Sequence, residues 1–180
     1  MSVLKTSGHT APAETRKNGP DLPLAMTQKE GTFLVTHADD ESVTVRDVVD
    51  SQVLTLSENP GLETGTVVEA TLEAEPPMDV TYEVVELAAE RDIPVEVVEL
   101  EPTQQAKDIA ADQPVGELAT QERAGIGELH ILTVPDGEAA ATAEDIVADE
   151  ETVARAARLE VDRVEIRTAP GVVSVRYLPD

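Results

Sequence analysis

"TFLVTHADDESVTVRDV", residues 32–48, is the stretch on which the fold turns. Its apolar residues recur with a period near two on both sides of "ADDE", the signature of strands that alternate their faces. Asp is favoured in a tight turn because its side chain can accept hydrogen bonds from the backbone a few residues on. The stretch therefore reads as strand, hairpin tip, strand.

The same rhythm continues outward. "QVLTL" (52–56), "TVVEATLEA" (66–74) and "VTYEVVEL" (80–87) read as three further strands, separated by "DS", "ENPG" with "TG", and "EPPMD". These separators carry turn chemistry. A sixth extended piece, "IPVEVVEL" (93–100), follows "AERD". The pentapeptide "EVVEL" occurs at 83–87 and again at 96–100, a repeat that either marks adjacent strands or, the preferred reading, arises by chance in a Val/Glu-rich chain. Five or six short antiparallel strands in so short a span predict a small OB-like barrel, which closes its edges instead of exposing them. The expected barrel domain is 26–101.

After Pro102 the rhythm changes, and an α+β domain is expected over 102–180. "TQQAKDIAADQ" (103–113) reads as a short helix capped by Thr103, and "ELATQERAG" (117–125) as another turn or two of helix ended by Gly125. "GELHILTVP" (127–135) reads as a strand with His130, Leu132 and Val134 on one face. Asp136 is expected to cap a helix over 137–148, and Asp149 a second over 150–159. Glu150 and Glu151 open that second helix while Arg155 and Arg158 lie near its end, matching the macrodipole. "VDRVEIR" (161–167) and "GVVSVRYL" (171–178) then form a hairpin around "TAPG". With Pro170-Gly171 at the tip Glu165 faces Arg176, whereas a four-residue loop would oppose Arg163 and Arg176, which is unfavourable. The first register is preferred. The result is a β-α-α-β-β layer with its helices on one face.

Composition bounds what such a chain does. It carries 37 acidic against 13 basic residues, a formal net charge of −24, and no cysteine. A disulfide framework and a thiolate metal site are thereby excluded. Valines in alternating runs argue against an acidic disordered tail, so the charge reads as adaptation to concentrated salt. At ~1 M salt the Debye length is only about 3 Å, and surface carboxylates barely repel one another. From Met26 onward Lys29 and Lys107 are the two lysines against eight arginines. No segment approaches the ~18 apolar residues of a membrane span, and the N-terminus has no apolar core of a secretory signal. A cytoplasmic haloarchaeal protein without a membrane role is expected. Residues 1–25 have a net charge of +1, show no periodicity and include three prolines. They read as a disordered arm or as an upstream mis-called start before Met26.

"VTHADDES" also resembles the "HPDDE" metal box of the zinc-dependent LmbE/PIG-L deacetylases. That box ends a parallel strand and leads into a helix, and a distant third His completes the site. Here strand follows the box, Ala38 replaces its proline, and His9 and His130 are the other histidines. A catalytic zinc takes three protein ligands; a hairpin tip is the better reading. No G-x-S-x-G elbow is present. "GIGELH" (125–130) lacks the strand-loop-helix order and the Lys of a phosphate loop. His130, flanked by Leu129 and Ile131, reads as a packed or edge residue. With so many carboxylates, chance pairs carry no information about acid–base work. No catalytic, cofactor or metal set is expected, and the chain reads as a non-enzyme.

One contrast does point to a site. Residues 153–180 hold five arginines against four acids, whereas 26–152 are overwhelmingly acidic. Arg163, Arg167 and Arg176 are candidates for a face that meets an acidic partner, either the chain's own barrel or a phosphate-bearing molecule. The alternative is that they pair with interleaved acids.

The run "EGTFLVTHADDESVTVRDVVDSQVLTLSENPGLETGTVVEATLEAEPPMDVTYEVVE", together with "QPVGELATQERAGIGELHILTVP" and "DEETVARAARLEVDRVEIR", resembles an uncharacterised, haloarchaea-restricted family of unknown function. The resemblance covers Met26 to Pro179 and implies a lineage without an activity. "GLETGTVVEATLE" (61–73), followed by "TYEVVEL", looks like the strand pair of TRAM-type and other OB-like barrels, which bind RNA. Two functions are therefore carried forward. One is a binding or adaptor module for another protein, the other an RNA or single-stranded nucleic-acid binder.

Overall fold

The computed structural model describes residues 27–180. The expectation of a disordered or mis-called segment over 1–25 lies outside the described residues. Strands β1 (Gln28–Ala38), β2 (Val43–Asp47), β3 (Val53–Leu56), β4 (Val67–Ala74) and β5 (Tyr82–Arg91) close into a barrel in the order β1-β2-β3-β5-β4. This is a closed five-stranded barrel. Alternate residues supply its core: Phe33 and Val35, Val43 and Val45, Leu54 and Leu56, Val68 and Leu72.

Two features depart from a simple antiparallel barrel. β3 and β5 are parallel where they meet, with Leu56 opposite Tyr82. Five strands cannot alternate direction all the way round a closed ring, so one neighbouring pair must run the same way. β1 and β4 are also buried on both faces over part of their length. Phe33 and Val35 point into the barrel, while Leu34 and Val67 belong to a second core outside it.

That second core is made by the rest of the chain. β6 (Val95–Val97), α1 (Gln104–Asp112), β7 (Leu118–Glu122), β8 (Glu128–Thr133), α2 (Ala139–Ala148), α3 (Glu150–Arg158), β9 (Arg163–Ala169) and β10 (Val172–Leu178) follow in order. Their strands form one sheet, β6-β9-β10-β8-β7. α3 packs between β1 of the barrel and β9 of this sheet. Leu34, Val48 and Val67 of the barrel thereby join Ala154, Ala157, Ile166 and Val175 in one continuous cluster. α1 packs on the opposite side of the sheet, where Ala106 and Ala110 meet Ile131 and Val172. The architecture is mixed α+β: a closed barrel followed by a sheet with helices on both faces.

β6, expected inside the 26–101 segment, pairs parallel to β9 through Val95 opposite Val164. A closed barrel has no free edge to offer a sixth strand, so the strand pairs elsewhere. The two "EVVEL" copies accordingly begin in strands of different sheets. The expected helix over 117–125 is overturned, because Leu118–Glu122 is strand β7, laddered on β8 from Leu118–Leu132 to Glu122–Glu128. Gly125 and Gly127 make the return, with φ of 94° and 109°. A Cβ added at Gly127 would collide with the Tyr177 carbonyl oxygen, so glycine is required there. Tertiary pairing overrides the helical propensity of "ELATQER".

The helix caps follow local chemistry in two of three cases. Thr103 accepts from the Ala106 amide at 3.2 Å and Asp149 from the Glu151 amide at 2.9 Å. Asp136 does not cap α2: Gly137, at φ 88°, turns the chain first, and Glu138 takes the N-cap position without a side-chain bond. The last hairpin has the preferred register, with Ala169 opposite Val172 and Glu165 opposite Arg176.

Candidate functional site

The "ADDE" tip between β1 and β2 is built as a turn. Asp39 Oδ1 accepts from the Glu41 and Ser42 amides at 2.9 and 2.8 Å, Ser42 contributing most to holding its carboxyl below the ordinary value. His37 is exposed, 3.4 Å from Asp39 Oδ2. The residues that resemble a metal box are used to reverse the backbone.

The three candidate arginines do come together. Arg163, Glu165 and Arg167 share one face of β9 through the strand's period of two, and Arg176 stands opposite Glu165 on β10. Arg167 Nε donates to Glu165 Oε1 at 2.6 Å, Arg163 Nη1 donates to Oε2 at 3.2 Å, and Arg176 Nε lies 3.5 Å from Oε1. Burial pushes the Glu165 carboxyl up, but the bond and charge of Arg167, helped by Arg163 and Arg176, outweigh it and hold the group below its ordinary value. Burial pushes Arg176 down, and the positive charges of Arg167, Arg123 and Arg163 add to that against the pull of Glu165. Arg176 Nε is buried without a hydrogen bond. Three guanidiniums thus crowd one carboxylate. Glu96 pairs with Glu165 in register but is exposed, and it forms no ion pair among the described residues.

The chain's own barrel is not what these arginines meet. Other basic residues tie the barrel to the second layer: Arg46 Nη2 to Glu151 Oε2 at 2.6 Å, Arg158 Nη1 to the Val48 carbonyl at 2.7 Å, and Arg91 Nη1 to the Val161 carbonyl at 3.0 Å.

A second cluster was not foreseen. Glu128 and His130, two apart on β8, share a face, and Arg155 reaches them from α3. Arg155 Nε and Nη2 donate to Glu128 Oε2 at 3.0 and 2.6 Å, and His130 Nε2 lies 2.9 Å from the same oxygen. The Tyr177 ring packs on His130 at a centroid distance of 5.0 Å. Burial lowers the His130 pKa, the Glu128 contact opposing it, so the imidazole is neutral at pH 7 with Nε2–H donating to Glu128. Burial pushes Tyr177 up to about 12. Both rings line a hollow of about 320 Å³ walled by Leu118, Leu132, Ile146 and Val175. "E-x-H" on a strand could have signalled the Glu128–His130 pair; Arg155 and Tyr177 arrive only through the fold. A larger depression of about 610 Å³ lies between α1 and the β9–β10 tip. Several of its polar side chains are already engaged, Gln113 on the Glu117 and Ile131 carbonyls, Thr133 on that of Ala110, and Lys107 on Glu101.

These groups set a pH dependence. His130, Glu128, Glu151 and Glu165 all have folded-state pKa values below their ordinary ones. Each contributes stability that is present above the unfolded-state value and lost as pH falls through the folded one. Thermal melts at fixed salt should hold steady down to about pH 6.5, the ordinary histidine value, then decline into the carboxylate range. His130→Phe should remove the first part of that decline, and a Tm rising on acidification would contradict the assignment.

A closed five-stranded barrel joined through a common core to a five-stranded sheet defines the class as mixed α+β. Among the described residues, no helix is long and apolar enough to cross a membrane. The profile of a family of unknown function (DUF5812) matches residues 29–168, and the chain belongs to that family. No curated protein and no solved structure matches it.

Proposed function

We propose that this chain is a non-catalytic binding module, cytoplasmic in a salt-accumulating archaeon, that recognises an acidic surface on another protein through Arg163, Arg167 and Arg176. The observation that carries this reading is the excess of guanidinium over carboxylate around Glu165, in a chain whose net charge is −24. A sequence so rich in acids leaves its most crowded arginines under-neutralised. In ~1 M salt, where charges are felt over only about 3 Å, direct contact is what survives screening. Arginine serves such contact because its planar fork meets a carboxylate with two parallel bonds.

The barrel type supports a second reading, single-stranded nucleic-acid binding. Such binders combine a basic groove with exposed aromatic platforms. Here Phe33 is fully buried and Tyr82 packs partly against the core, while Arg46 and Arg91 hold the second layer. The protein-binding reading is therefore preferred.

The test is affinity purification from the native host in near-saturating salt, with and without nuclease, comparing wild type with Arg163→Ser/Arg167→Ser/Arg176→Ser. A nuclease-resistant protein partner lost by the triple variant, with the circular dichroism spectrum unchanged, is expected. Retention of the partner by a folded triple variant removes the arginine face, and co-purifying RNA that survives it transfers the function to the barrel.

A further inference from the structure

We infer that the hollow beside His130 and Tyr177 is a binding site for a small neutral ring compound carrying a hydroxyl or N–H donor. The inference is independent of the arginine face, which lies on the other side of the sheet. Four aliphatic walls, Leu118, Leu132, Ile146 and Val175, enclose about 320 Å³, at the lower end of the ~300–1,000 Å³ common among small-ligand sites. At about 30 Å³ per water-sized unit, that suits a single ring with a substituent or two.

Polar chemistry at the wall narrows the ligand further. Glu128 occupies Nε2 of the neutral His130, leaving Nδ1 as an acceptor with no hydrogen bond among the described residues. The Tyr177 hydroxyl, protonated at any physiological pH, is a donor likewise without a partner among them. A ligand hydroxyl can serve either group, donating to the imidazole or accepting from the tyrosine.

Charge disfavours an anionic ligand. Glu128 is paired with Arg155, and Glu151 with Arg46 and Arg158, while Asp149 caps α3. A ligand carboxylate would find Arg155, the one cation lining the hollow, already held by Glu128, and would lose its hydration without compensation. An ammonium would meet Asp149 only at the α3 cap. A neutral molecule loses little.

Phenol and toluene, equal in shape and differing in the hydroxyl, are the probes. Each is titrated into the full-length protein at high salt while the side-chain nitrogens of His130 are followed by NMR. Phenol is expected to shift Nδ1 in a saturable way and to bind about tenfold more tightly than toluene, the value of roughly one net hydrogen bond. His130→Phe, which keeps a ring in place, should abolish that preference, and Tyr177→Phe should reduce it while the fold is kept. Equal binding of the two probes overturns the inference. So does an absence of saturation for both, or a shift pattern centred away from β8 and β10, and these outcomes in the wild-type protein stand whether or not either variant folds.

Discussion

Phe33→Ala should lower unfolding stability by about 3–5 kcal/mol, the range for deleting a buried aromatic ring. Phe33 is fully buried, and its ring lies over Gly31, where an added Cβ would stand 3.6 Å from Cζ. Around it are Val35, Val43, Leu54, Val68 and Leu72, none large enough to refill the space. It is also the only phenylalanine in the chain, and the barrel's other ring, Tyr82, is only partly buried at the edge of this cluster. A typical domain is stable by ~5–15 kcal/mol, and the loss is a large part of that. Urea unfolding at one fixed salt concentration, followed by circular dichroism, measures it. A loss below about 0.5 kcal/mol, the scale of an ordinary surface substitution, would place the ring outside the core.

Glu165→Gln should move stability and partner affinity in opposite directions. The carboxylate is nearly buried and accepts from Arg167 and Arg163 while facing Arg176. Removing one partner of a buried ion pair costs ~3–5 kcal/mol; solvent contact at Arg163 reduces this to about 2 kcal/mol in low salt. High chloride should recover part of the loss, since a diffuse anion can stand in for the missing charge. The variant should also lose part of its acid sensitivity. With the internal competitor gone, the acidic partner is expected to bind several-fold more tightly. Weaker binding would show that Glu165 positions the arginines and does not compete with the ligand.

Legibility followed locality. The β1–β2 turn, the Asp149 cap and the Glu165–Arg176 register each depend on residues within a dozen positions of one another, and each was readable from turn chemistry, dipole matching or cross-strand charge. β7 was not, because it is an edge strand with four of its five residues exposed and no alternation to betray it. β6 has a clear strand pattern, yet its pairing with β9 bridges nearly 70 positions, a distance over which periodicity is silent. The clustering of Arg163, Arg167 and Arg176 was legible because all three share one hairpin. The hollow was not: His130, Arg155 and Tyr177 come from β8, α3 and β10, and nothing at His130 itself distinguishes a wall from a filled core.

Leu34, Val48 and Val67 look outward from the barrel into the cluster around Ile166, and Arg158 fastens to the Val48 carbonyl. Recombination between genes succeeds where a module can be lifted out with its interior sealed, and here a cut after the barrel would lay open greasy surface on both pieces. The two halves must be transmitted as a unit, so shuffled copies of either half alone are not expected to persist.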